Sequence, residues 1–234
     1  MAVDIAAAEI VDLARTPLRD LNQRLHDLAG SADGPRSWRI VNPSGMHNIA
    51  CGLDADVDVV IEGHAGYYCA GMNKLARVRV TGNAGQGLAE NMMSGRVTVD
   101  GNASQAAGAT AHGGLIHIRG DASARCGISL KGAAIVVEGS VGHMSAFMAQ
   151  TGVMVVLGDA GEALGDSMYE THIYVRGTAA GLGADVVEKE LRDFHRGEVA
   201  GLLADAGISG VDASDFRRYG SARELYNFKI DNTY

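Results

Sequence analysis

An apolar-x-apolar-x-Gly pentad recurs along this chain, ending at Gly63, Gly82, Gly101, Gly120, Gly139, Gly158 and Gly177, and every interval is 19 residues. Two positions before these glycines stand Ile61, Val80, Val99, Ile118, Val137, Val156 and Val175. Four before stand Val59, Val78, Val97, Ile116, Ile135, Met154 and Ile173. Apolar residues at period two, nearly all β-branched, define a half-buried strand, so each repeat carries at least one. Two residues after each glycine comes a small apolar residue: Ala65, Ala84, Ala103, Ala122, Val141, Ala160 and Ala179. Seven residues after it the occupant is always Ala or Gly (Ala70, Ala89, Gly108, Gly127, Ala146, Gly165, Ala184), which predicts a bend with little room for a side chain.

A unit this short cannot bury its apolar face alone. Successive units must stack so that equivalent strands pair in parallel, and seven coils at the usual strand spacing give roughly 34 Å of solenoid. The expected fold is therefore all-β: a right-handed parallel β-helix of about seven 19-residue coils with helical N- and C-terminal caps. The left-handed hexapeptide helix is excluded because 19 is not a multiple of six. The calcium-binding nonapeptide roll lacks its Gly-Gly-x-Gly-x-Asp pattern here, and acidic residues are not read as recurring in any turn column. Glycine, at 32 residues, is about twice its usual share, and the excess is assigned to repeated tight turns.

Three segments are expected: 1–36 as an N-terminal helical cap, 37–183 as the β-helix, and 184–234 as a C-terminal helical cap and partner-binding tail. In the first, Thr16 caps and Pro17 opens a helix with Leu18, Leu21, Leu25 and Leu28 on one face and Gly30 closing it. A shorter helix over 4–14 precedes it, and the turn-rich stretch 42–52 forms an incomplete first coil. In the last, Val187, Leu191 and Phe194, then Val199, Leu202 and Leu203, read as one or two amphipathic helices broken near Gly197. Helices are expected at both ends because a solenoid otherwise leaves strand edges open to other chains. The aromatic and charged stretch 212–234 reads as a tail that orders against a partner.

A net charge of −8 gives no electrostatic footprint for nucleic acid or an anionic membrane, and no clustered Lys and Arg occur. No secretory leader or apolar run of about 20 residues is seen, so a cytoplasmic location is expected. Cys51, Cys69 and Cys126 form no C-x-x-C pair and no even disulfide set, which fits a reducing compartment. Cys69 and Cys126 share a column with Leu88, Ala107 and Leu164 and are read as core fillers. In a stack, residues 19 apart are neighbours, so a metal or catalytic cluster should appear in one column. His64, His112, His117, His143 and His172 fall in five columns, in which Glu162, one coil from His143, is the single His, Asp or Glu neighbour, so no metal site of stacked histidines is expected. Asp100, Arg119 and Glu138 share a column and are expected to form charge pairs on the wet face. Gly85-Gln-Gly87 lacks the third glycine of a dinucleotide site, and no G-x-S-x-G, P-loop or H-E-x-x-H occurs. No cleft of gathered carboxylates of the kind a polysaccharide-cleaving β-helix needs is visible. No catalytic, cofactor-binding or metal residue is assigned.

The glycine-anchored coils, and the run from Ser129 (SLKGAAIVVEGSVGHMSAFMAQTGVMVVLG) to Gly158, resemble the GXGXG domain of glutamate synthase over about 42–183. Literal Gly-x-Gly occurs only at Gly85/Gly87 and Gly181/Gly183, and Ser145-Ala-Phe-Met148 stands where the family usually carries Cys-Glu-Tyr-Met. Within that family the free-standing form with the tail FRRYGSARELYNF is similar to the β-helix subunits of the N-methylglutamate synthases. The resemblance implies a heteromeric enzyme making N-methylglutamate and ammonia from glutamate and methylamine. One partner would be a class II glutamine amidotransferase-like subunit. The other would be an FMN-binding, glutamate synthase-like subunit with an iron–sulfur cluster, so that both cofactors lie outside this chain. An ordinary glutamate synthase-like complex and a formylmethanofuran dehydrogenase complex are the alternatives. His47, Asn48, Tyr67, Tyr68, Asn73, Lys74, Tyr219 and Tyr226 are the candidate partner contacts.

Overall fold

The computed structural model describes residues 8–224. All seven pentads are strands: β3 (Asp58–Glu62), β4 (Arg77–Val80), β5 (Arg96–Val99), β6 (Leu115–Ile118), β7 (Lys131–Val137), β8 (Thr151–Val156) and β9 (His172–Val175). They pair in parallel with a register step of 19, Val59 with Val78 and Val78 with Val97. Their inward side chains, Val59 through Ile173 and Ile61 through Val175, are essentially inaccessible to solvent. The small residues after the anchor glycines form a second ladder of single-residue parallel bridges, Ala65 to Ala84 and on to Ala179. The result is a parallel β-solenoid of about seven turns whose core runs along its axis.

Stacking distance explains the anchor glycines. A Cβ added at Gly120 would lie 2.8 Å from the carbonyl oxygen of Gly101 one coil away, closer than real contacts allow. The next residue in each coil supplies a polar ladder. The backbone N–H of Asn102 donates to Asn83 Oδ1 at 2.9 Å, that of Asp121 to Asn102 Oδ1 at 2.8 Å and that of Ser140 to Asp121 Oδ1 at 2.8 Å. The ladder continues through Ser140 and Asp159 to Thr178. Asp121 and Asp159 do therefore recur in one turn column, against expectation, and their carboxylates accept backbone and hydroxyl hydrogens.

The bend at the Ala/Gly column is real, and it is one of three. In the six coils anchored at Gly63 to Gly158, residues five, seven and nine after the glycine take left-handed backbone angles, for example Tyr68 (φ 58°), Ala70 (φ 53°) and Met72 (φ 55°), whereas in the last coil Asp185 (φ 64°) does so and Ala184 does not. This costs roughly 1–2 kcal/mol per non-glycine residue. Inter-coil hydrogen bonds that alternate in direction offset the cost: Tyr68 and Met72 donate to Gln86 and Glu90 in the next coil, and Ala70 donates to Ile49 in the previous one. Only the middle column stood out in the sequence, because there the side chain points inward. A Cβ on Gly108 (φ 69°) would meet Ile135 Cδ1 at 2.7 Å.

Both ends differ from the expectation of helical caps. Residues Glu9–Asp12 form a strand, β1, in place of the expected short helix, and pair in parallel with β2 (Ser37–Val41). The stretch 42–52 completes a full first coil, since β2 pairs with β3 at a step of 21 residues, Ser37 with Asp58. Helix α1 (Leu18–His26) has Pro17 rather than Thr16 at its N-cap and ends before Gly30. Its Leu21 and Leu25 are buried, and Asn22 and His26 bond to the backbone of Asn48, Ala50 and Cys51, so the helix covers a corner of the first coil.

At the other end, Val186–Lys189 form strand β10, so Val187 belongs to a strand. Helix α2 (Asp193–Ala206) runs unbroken through Gly197. It lies along the side of the solenoid rather than over its end: Val199 and Leu203 pack on the outward residues Leu115, Val136, Val155 and Tyr174 of β6 to β9, together with Phe216. Of the tail expected over 212–234, the part up to residue 224 is described and pairs within the chain, and residues 225–234 lie outside the described residues. Strand β11 (Arg217–Ser221) inserts antiparallel between β9 and β10, and these strands cover the last coil. Among the described residues, no helix is long and apolar enough to cross a membrane.

Candidate functional site

The candidate contacts divide into three groups. His47, Asn48, Tyr67 and Tyr68 come together on one corner of the first two coils. The His47 ring stacks on Tyr67 at 4.4 Å between centroids, its Nδ1 accepts the Tyr67 N–H at 2.8 Å, and the Asn48 N–H donates to the Tyr67 carbonyl at 2.7 Å. Both tyrosines are exposed, Tyr67 by 48% and Tyr68 by 40%, and Tyr68 is held outward by its left-handed backbone. Lys74 is exposed on the next corner and pairs with Asp54 at 2.8 Å.

Asn73 and Tyr219 are taken up by the chain itself. Asn73 is fully buried, its Nδ2 donating to the carbonyls of Ala76 and Ser94, and its Oδ1 accepting from the Ala76 N–H. It fixes a turn and offers nothing to a partner. Tyr219 lies inside the core on β11, at 3% exposure. Tyr226 lies outside the described residues. The sequence reading passed over Met72, Leu75 and Met93, which are about half exposed near Lys74 (55%, 46% and 48%). Their columns hold polar residues in other coils, so periodicity gave no sign of them. An apolar patch beside two exposed tyrosines is the usual composition of an interface core.

The wet face of the sheet carries the expected ion pairs in a modified pattern. Asp100 bridges Arg119 at 3.0 Å and Arg79 at 2.7 Å, whereas Glu138 turns to His117 at 2.9 Å instead of Arg119. Burial draws the His117 value down, against the raising effect of Glu138. Cys69 and Cys126 are buried fillers, and burial pushes both thiols up to about 12, so neither is a thiolate nucleophile near neutrality. Burial also raises the Cys51 thiol.

A polar cluster escaped the column search because half of it comes from α2. Glu198 Oε2 accepts from the Tyr174 hydroxyl at 2.6 Å and contacts His172 Nδ1 at 2.8 Å. Burial alone would raise the Glu198 carboxyl, but these two hydrogen bonds outweigh it and hold the carboxyl below its ordinary range. His195, 2% exposed, accepts the Arg192 N–H on Nδ1 at 3.0 Å. Its proton therefore sits on Nε2, which is buried without a partner. Burial first, then the neighbouring charge of Arg218, depresses the His195 value. The cluster fastens the helix to the sheet. The outward columns held the signal for this docking: they change from Arg77 and Arg96 to Leu115, Ala134 and Val153 where α2 lies. Among the described residues, no group of three or more His, Cys, Asp or Glu side chains could hold a metal ion.

Glycine-anchored coils and a polar turn ladder define a parallel β-solenoid of about seven turns. Comparison with known proteins gives the family: the GXGXG motif matches residues 46–196, and the chain belongs to the GXGXG family. It is similar to Protein GlxC of Rhizobium meliloti (strain 1021), at 57% identity over 224 residues that cover 95% of this chain and 97% of that protein. No solved structure gives a significant match.

Proposed function

We propose that this chain is the non-catalytic structural subunit of a heteromeric N-methylglutamate synthase of the cytoplasm. It holds a class II glutamine amidotransferase-like subunit and an FMN- and iron–sulfur-containing subunit in fixed relation, so that the amine or ammonia released at one site reaches the other without escaping to solvent. The observation that carries this reading is membership of the GXGXG family across the solenoid, since that family is related to glutamate synthase-like complexes.

Physical features of the chain support it. Every coil is tied to the next by backbone bonds on several sides, which makes a rigid spacer. The buried cysteines are inert, and the exposed tyrosines and methionines are placed where a partner can cover them. Reconstitution by omission tests the role. With all three subunits present, glutamate and methylamine give N-methylglutamate and ammonia; without this chain, that output falls to background although both partners keep their cofactor content. Unchanged N-methylglutamate formation by the two partners alone would contradict the proposal.

A further inference from the structure

Near the last coil, where β9, β11 and β10 adjoin, a polar cavity of about 50 Å³ is lined by Thr171, His172, Lys189 and Arg218 and by the Glu170–Arg223 ion pair (2.7 Å). Among the described residues, Lys189 and Arg218 form no ion pair there: the lining carboxylate Glu170 is taken by Arg223, and the nearby Glu198 is engaged by His172 and Tyr174. Arg218 forms no ion pair among the described residues. Its Nε is buried without a hydrogen-bond partner, and its Nη1 reaches only the Glu190 carbonyl, at 3.5 Å. Thr171 is 1% exposed, and its hydroxyl is likewise buried without a partner.

Two orphaned polar groups on residues that line one cavity, one of them on a guanidinium, are costly to maintain in a folded chain. A water molecule can accept one hydrogen from Arg218, but it leaves the charge uncompensated. A carboxylate can accept from the Arg218 guanidinium and the Lys189 ammonium together and supplies negative charge. We infer that this cavity is a binding site for one carboxylate group, with room for an ion of formate or acetate size and none for a nucleotide or sugar. The carboxylate has two possible sources, a free small acid or an Asp or Glu side chain of a neighbouring subunit.

Isothermal titration of the chain with sodium acetate, with sodium chloride as the control at constant ionic strength, tests this. The expected result is saturable one-to-one binding of acetate, absent with chloride and weakened about tenfold or more in Arg218→Gln. Lys189→Gln provides the same comparison on a more accessible side chain should Arg218→Gln fail to fold. The assembled complex distinguishes the sources: acetate binding that persists there marks a free ligand, whereas binding lost on assembly, with assembly weakened by Lys189→Gln, marks a neighbour's carboxylate. No saturable acetate binding, or equal affinity in the wild type and both variants, would overturn the inference.

Discussion

A methyl group added at Gly120 would press on the carbonyl of Gly101, whereas one added at Gly197 meets nothing within 4 Å. The same substitution thus has opposite consequences at two glycines. Gly120→Ala forces two coils apart and should destabilise the chain by about 1–3 kcal/mol. Gly197→Ala replaces a helix-interior glycine facing open space and should stabilise it by about 0.5–1 kcal/mol. Urea unfolding of the two variants beside the wild type measures both signs. His195 gives a residue-scale prediction in pH. Its folded-state value lies below the ordinary 6.5, so the unfolded chain takes up the proton first. The stability it contributes is whole at neutral pH and is lost as pH falls from about 6.5 through the depressed value. Protonation would also occupy Nδ1 and break the bond from Arg192. His195→Asn, whose oxygen can stand in for Nδ1, should flatten the decline in unfolding free energy between pH 7.5 and pH 5.5. An unchanged slope would show that His195 does not carry it.

The seven strands were readable because each repeats the same inward residues at a spacing that stacking converts into contact. Val59, Val78 and Val97 appear as one column in the chain and as one ridge in the core. Elements outside the repeat lacked that redundancy. Strand β1 has four residues and is defined by a partner 29 positions on, Glu9 with Trp38, with a helix between. Strand β11 acquires its place only by insertion between β9 and β10, a long-range event with no local signature. Helix α2 was found but misplaced, because its docking surface was written in the outward columns of other coils. Leu203→Ala tests that surface. The side chain is 3% exposed against Val136 and Val155, and its truncation should cost about 2–4 kcal/mol in urea unfolding. A cost near zero would mean that the helix is held by its polar end alone.

Across the whole molecule, cooperativity follows from registry. Inserting one residue after Val99, where β5 ends, moves Asp100, Gly101 and Ala103 out of their columns and misaligns the coil on both neighbours. Loss of soluble protein and of the β-type circular dichroism is expected, and their retention would refute the stacked register. The candidate surface was partly legible in the sequence: His47, Asn48, Tyr67 and Tyr68 do converge, but Asn73 and Tyr219 face inward. Burial depends on which corner of a coil a residue occupies, and residue type alone does not fix that. Tyr67→Ala and Met93→Ala remove exposed side chains, so they should leave thermal stability nearly unchanged while weakening association with partner subunits.

The most direct test of the scaffold reading is affinity purification of this chain from its native host, followed by an absorbance spectrum and an assay for N-methylglutamate from glutamate and methylamine. Two co-purifying subunits with flavin and iron–sulfur absorbance and that activity are the predicted outcome. A colourless chain that purifies alone and has no activity with these substrates would contradict it.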